Sequence, residues 1–435
     1  MEKPPTIDGR TTKPINYAVG MFGTSIPINM FRTFALVFFV HYLSAITAEQ
    51  FALILLVYFV VDAIDNPVYG FLSDSTRTRW GRRRPYLVIG APLLALSFIA
   101  FFNVPGWMAE GSLFWYALII YCLTGTLDAL VNVNYGSLFP ELFRTQEARA
   151  KTNAMRQAFQ FVAMIISIAL TPIIVEQIGY SLTSIIYACL AVTVILYMAF
   201  NTYETQEAQK RPKPDLVKTI LQIARTPKFW LYGLANAAFF ASLSILQQSA
   251  PLYTWYTLGA GGEITAVLLG SVILCAIIGI PLWHRVLGKL RLVTVWRTTM
   301  AVIAFSLIPL FFAGSVATAI VPMIILGLGY GGASLTIDLV GARIMDEDLA
   351  RYGVQREGTF ISLSGVLNRT SNLFVALGIF MVSRIFGYVS GDEPGLRPDE
   401  AWRFAISVYP FIIMVVAIGF AFLVNFKKPV ERENA

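Results

Sequence analysis

The chain has 435 residues, 56% of them hydrophobic and only 14% charged, with a mean hydropathy of +0.65. That composition leaves too little polar surface for a soluble protein of this length, so an all-α integral membrane protein is expected. The net charge of +7 does not signal nucleic acid, because the basic residues lie in short loops between apolar runs.

The chain opens on a polar stretch, MEKPPTIDGRTTKPINYAVG, without the charged start, short apolar core and small-residue cleavage site of a secretory signal. Insertion is therefore expected to rely on the first spanning helix. A bilayer crossing needs about 20 predominantly apolar residues. Such runs occur near 15–40, 48–73, 85–104, 112–139, 153–175 and 181–201. A charged, proline-bearing segment, 201–228, follows. It separates these from further runs near 229–258, 263–284, 292–313, 317–343, 358–388 and 401–425. About twelve helices, six on each side of a central loop, is the layout of the major facilitator fold, with two bundles around a central cavity. The expected units are 1–200, the cytoplasmic loop 201–228, and 229–435.

Lys and Arg are absent from the loops near 41–49, 104–111, 176–181, 259–263 and 314–318. They abound at 74–84, 144–151, 204–228, 285–297 and 343–356. The positive-inside rule then puts both termini in the cytoplasm. Only the loop at 387–403 departs, and there Arg397 and Arg403 are balanced by acids.

Within this frame the second helix is the most informative, because its DAIDNPVYGFLSDSTRTRWGRRRP carries Asp62 and Asp65 inside an apolar run. Intramembrane carboxylates are unfavourable unless they face a partner or a wet cavity. The two stand three residues apart, on one helical face, and with the Asn66 amide they could offer a sodium ion several hard oxygens. If the ion is a proton, the crowded like charges bring one carboxyl toward its working range. The plain alternative is that Asp65 and Asn66 satisfy backbone groups freed by Pro67. Asp128 and Asn132 share a face of the fourth helix and could complete the ion site or a sugar site. Arg32, Arg156 and Arg369 also lie in apolar runs, and guanidinium groups suit carboxylate or phosphate, which points to an anionic substrate. Alternatively each neutralises an aspartate or snorkels to an interface. Asn29, Gln247 and Tyr253 join Arg32, Asn132, Arg156 and Arg369 as candidate substrate ligands. Trp255 and Tyr256 fit an interfacial belt better. Cys122, Cys189 and Cys275 are scattered and only His41 and His284 occur, so no metal set beyond a coupling sodium is expected.

The helix-and-loop pattern at 62–85 resembles the glycoside-pentoside-hexuronide cation symporters, the melibiose permease family. Three further pieces agree in order: YAVGMFG, VNVNYGSLFPEL with EARAKTNAMRQAF, and DEDLARYGVQREG. The resemblance implies cation-coupled symport. Asp62 falls on the first cation-binding aspartate of that family and Asn66 on the second, with Asp65 one position earlier. Asn132 and Ser25 stand where the permease has sugar-binding aspartates, which argues against galactoside recognition by that scheme, and Arg369 stands where it has a lysine. Gly70, Asp74, Arg82 and Arg83 resemble the loop whose charge pairs close one side of major facilitators, a loop that IPLWHRVLGKLR echoes in the second half. Asp346, Glu347, Asp348, Arg356 and Glu357 are expected to pair across to it.

The expectation is a secondary transporter, a monomer of the bacterial inner membrane, moving a small-molecule glycoside, sugar or hexuronide with Na+ or H+ and using no cofactor. No Walker motif, metal spacing or Ser/His/Asp set suggests an enzyme. The alternatives are a carrier of a lysolipid or other amphiphile, or an uncoupled facilitator.

Overall fold

The computed structural model describes residues 11–78, 80–143, 146–204, 225–352 and 357–426, and every regular element in them is a helix. α1 covers Pro14–Tyr42, α2 Ala48–Ser75, α3 Arg84–Phe101 and α4 Glu110–Leu142. An unbroken, predominantly apolar helical span of 50 residues, Lys151–Phe200, follows. It is two crossings. Gly179 adopts φ 77° and ψ 166°, a backbone setting open essentially to glycine alone, and reverses the chain. The Tyr187 hydroxyl thereby reaches back to Thr171 Oγ1 at 3.0 Å and to the Ile166 carbonyl at 2.9 Å. In a straight helix residues 166 and 187 would stand roughly 30 Å apart. We number residues 146–178 α5 and 180–200 α6.

The second six are α7 (Pro227–Tyr256), α8 (Gly262–Leu287), α9 (Leu292–Phe312), α10 (Val316–Tyr352), α11 (residues 357–386) and α12 (Pro398–Leu423). α10 runs on past the expected end at 343. α11 is interrupted. Its two stretches, Glu357–Asn368 and Ser371–Phe386, meet in a tighter turn, where the Arg369 and Thr370 amides bond three residues back at 3.2 and 3.0 Å. Local chemistry sets the helix ends. Thr47 and Gln50 form a reciprocal capping box at the start of α2, and Pro14, Pro227 and Pro398 open helices where a missing N–H is harmless.

α1 and α7 lie innermost, with 83% and 67% of their apolar stretches buried, against 38% for α2. α2 instead turns Leu53, Leu56, Val60 and Ile64 outward in one stripe, a surface suited to lipid. Packing between the first six helices and the last six runs through α1 with α7, α2 with α11, and α5 with α8.

The two sets of helices meet closely at the end remote from the arginine-rich loop. There His41 lies edge-on to Trp255 and Tyr256 with ring centres at 5.6 and 5.4 Å, and its Nδ1 is 3.2 Å from the Tyr256 hydroxyl. Arg384 pairs with Glu49 at 2.8 Å, and the Gly262 amide donates to Glu176. Trp255 and Tyr256 are thus part of a contact between the two halves, not only an interfacial belt.

Candidate functional site

Near the middle of α1, α2, α4 and α11 the fold gathers five charged side chains from the apolar runs. Asp62 and Asp65 project from successive turns of one face of α2, and both are buried. Asp62 Oδ2 lies 3.2 Å from Arg369 Nε, and the same guanidinium donates to the Asp62 carbonyl. The break in α11 falls at Arg369 itself. Asp65 Oδ2 accepts from the Thr126 hydroxyl at 2.6 Å. Asp128, also buried, accepts from Asn132 Nδ2 at 2.6 Å and faces Arg32 Nη2 at 3.8 Å.

Arg32 differs from its neighbours. Its side chain is 61% exposed, whereas Phe31 and Thr33 are buried to within 2%. On the most buried helix of the molecule that exposure faces the space between helices rather than lipid, where an arginine would be strongly disfavoured. Arg32 therefore presents donors to the space between the helices while leaning on a buried acid.

The remaining candidates divide. Asn29 stands one turn from Arg32, and its Nδ2 is buried with no hydrogen-bond partner among the described residues. Gln247 is half-buried on α7. Arg156 does not join the central cluster. It sits over the rings of Tyr17, Tyr135 and Phe139 at 5.8, 5.3 and 5.0 Å, nearer the basic end, in a cation–π cage that sequence reasoning did not anticipate. Tyr253 is fully buried and points into the second set of helices, with its hydroxyl 3.3 Å from the Ala313 carbonyl at the end of α9. It and Gln247 lie on different faces of α7.

At the basic end, Gly70 has open space around it among the described residues. The loop beyond it is built around two acids that sequence reasoning passed over. The successive amides of Arg82, Arg83 and Arg84 donate to the Glu204 carboxylate at 2.8, 2.9 and 3.1 Å, an anion-holding nest of backbone N–H groups. Gly81, at φ 114°, leaves the room that a Cβ would take from that carboxylate. The Arg82 and Arg83 side chains meet Glu141, the latter through Nε at 3.1 Å. Consecutive arginines demand counter-charge, and the nearest acids at the ends of α4 and α6 were the available signal. Glu141 and Glu204 belong to the same six helices as the loop, and Glu347 pairs with Lys228 among the last six. Asp346 is exposed and makes no ion pair among the described residues. Among the described residues, Arg82 and Arg83 meet Glu141 within the first six helices and Glu347 meets Lys228 within the last six. The side chains of Asn66, Asp74 and Glu357, those of Asp348 and Pro67, and Arg356 altogether, lie outside the described residues.

Comparison with known proteins agrees with this architecture. The family model of MFS/sugar transport proteins matches residues 16–429. The chain is similar to an isoprimeverose transporter of Lactiplantibacillus pentosus, 24% identical over 86% of this chain and 78% of that protein. It is also similar to the glucuronide carrier protein homolog of Escherichia coli K12, 23% identical over 93% of this chain and 90% of the relative. A sodium-dependent lysophosphatidylcholine symporter 1-B of Danio rerio is 23% identical over 86% and 78%. Among solved structures, a bacterial homolog of the human lysosomal transporter Spinster, inward-facing and unoccupied, superposes with a TM-score of 0.69 at 13% identity, covering 94% of this chain and 96% of that one, a likeness of fold. The chain accordingly belongs to the MFS/sugar transport protein family, the melibiose permease-like symporters of the major facilitator superfamily, and is a multi-pass membrane transporter rather than an enzyme.

Proposed function

We propose that the protein is a cation-coupled symporter of a glycoside or hexuronide, working by alternating access between two bundles, residues 1–200 and 229–435, joined by the 201–228 loop. The carrying observation is the Asp62–Arg369 pair, which ties a carboxylate of the first bundle to a guanidinium of the second at the middle of the membrane. A cation bound at Asp62 must displace Arg369, so loading the ion alters the contact between the bundles. This is the differential interaction that coupling requires. Asp65, Asp128 and Asn66 complete the ion site in this reading. Arg32, with Asn29, Asn132 and Gln247, faces the substrate, and the exposure of Arg32 into the space between the helices favours a substrate bearing an acid. Arg369 is engaged by Asp62 and Arg156 by its aromatic cage, so Arg32 carries that recognition.

The bundles meet at the end remote from the basic loops, so with both termini cytoplasmic the conformation faces inward. A bacterial inner membrane location and a monomer suit this reading. Uptake into proteoliposomes under a sodium gradient alone or a proton gradient alone, with wild type and Asp62→Asn, tests it. Stimulation of glycoside or uronide uptake by one gradient, lost in Asp62→Asn, is expected. Equal uptake with neither gradient makes the protein an uncoupled facilitator, and cation-driven uptake of lysophosphatidylcholine but not glycosides makes it an amphiphile carrier like the Danio rerio relative.

A further inference from the structure

The remote end is closed by more than side chains. After α11 ends at Gly387, residues 388–393 cross from the last six helices to the turn between α1 and α2 and dock there through their backbone. The Gly391 amide donates to the Val40 carbonyl at 2.8 Å, the Ala48 amide donates to the Val389 carbonyl at 2.8 Å, and the Asp392 amide donates to Ser44 Oγ at 3.2 Å. The segment is pre-shaped for this. The amides of Val389 and Ser390 both donate to the Glu393 carbonyl, at 3.1 and 3.2 Å, which folds it into a compact loop. Tyr388 anchors its start, fully buried against Trp402 at 4.9 Å and near Tyr256 at 5.9 Å.

Two residues fit this docked arrangement and no simpler purpose. A Cβ on Gly391 would collide with the His41 carbonyl, so only glycine lets the two backbones approach this closely. Ser44, in the turn that receives the segment, has φ 46° and is the only residue other than glycine with positive φ among those described. A serine there is strained, and the surrounding hydrogen bonds, including the one from Asp392, hold it so.

We propose that residues 388–393 are a strap that latches the remote side of the carrier shut, and that Ser44 stores strain in the latched state that helps it release. Opening that side requires breaking two backbone–backbone hydrogen bonds and the one from the Asp392 amide to Ser44 together. The strain at Ser44 offsets part of that loss, so the latch holds without locking. The latch concerns the conformational equilibrium of the empty carrier and does not depend on which substrate or ion is carried.

The test is a spin-label distance measurement on the reconstituted full-length protein, with Cys122, Cys189 and Cys275 replaced by serine. Labels go on Trp107→Cys and Phe312→Cys, exposed positions at the remote end of the two halves. Gly391→Ala and Ala48→Pro should each move the distance distribution toward longer, open separations. Ala48 is the first residue of α2, where proline is accepted, and Thr47 before it is already extended, so Ala48→Pro removes the strap hydrogen bond and crowds Val389 without breaking the helix. Ser44→Asn retains an acceptor and tolerates positive φ, and should raise the closed-to-open ratio about fivefold, the equivalent of the ~1 kcal/mol lower bound for that backbone setting. Opposite shifts from the two kinds of variant support the latch. Unchanged distributions in Gly391→Ala and Ala48→Pro, or a shift toward open in Ser44→Asn, overturn it.

Discussion

Asp62 and Arg369 each make the other tolerable, since neither charge belongs in an apolar helix alone. Removing one partner of a buried pair leaves an uncompensated charge, an effect of about 3–5 kcal/mol in folded proteins. Asp62→Asn should therefore reduce substrate counterflow to near background, and Asp62→Asn with Arg369→Gln should recover part of it. A double-mutant cycle measures this, and additive losses would show that the two side chains act independently. Glu204 makes a separate case. Its carboxylate holds three successive amides of the arginine loop, and Glu204→Ala should lower stability by about 2 kcal/mol, with Glu204→Gln losing less because it keeps one acceptor. Thermal unfolding in detergent reads both. Much of the central site was legible beforehand, because Asp62, Asp65, Asp128, Arg32 and Arg369 announce themselves as charges in apolar runs. Arg156 announced itself in the same way and misled. Its partners are Tyr17, Tyr135 and Phe139, and aromatic residues are too common in membrane helices for their spacing to reveal a cage.

The helices themselves followed from hydropathy, and their exceptions follow from backbone chemistry. The expected break between crossings near 176–181, marked in the sequence by Glu176, Gln177 and Ser181, proves to turn on a single glycine rather than a loop. Gly179 has nothing within 4 Å of where a Cβ would stand, so Gly179→Ala isolates backbone strain from packing. A loss of about 1–3 kcal/mol in thermal stability is expected, and an unchanged midpoint would mean that the reversal tolerates an ordinary residue. The break in α11 was hidden, since Asn368, Arg369 and Thr370 are not helix breakers. The tertiary contact does what propensity does not: the guanidinium reaches both the carboxylate and the carbonyl of Asp62, and the helix accommodates it with a tight turn.

For the molecule as a whole, the cross-half contacts at the remote end define what must part during transport. Cysteines at Glu49 and Arg384, joined by a short bifunctional thiol reagent in a background without native cysteines, should stop counterflow, and cleavage of the linker should restore it. Transport that continues with the linker in place would place the moving boundary elsewhere. The chain reversal at Gly179 reaches further, into biosynthesis. The run 151–200 carries no Lys or Arg between Arg156 and its end, so the turn offers the insertion machinery no positive charge by which to orient α6 separately from α5. With no loop at the turn, α5 and α6 enter as one helical hairpin, and its orientation is set by the basic residues at its two open ends, 144–156 and 204–228.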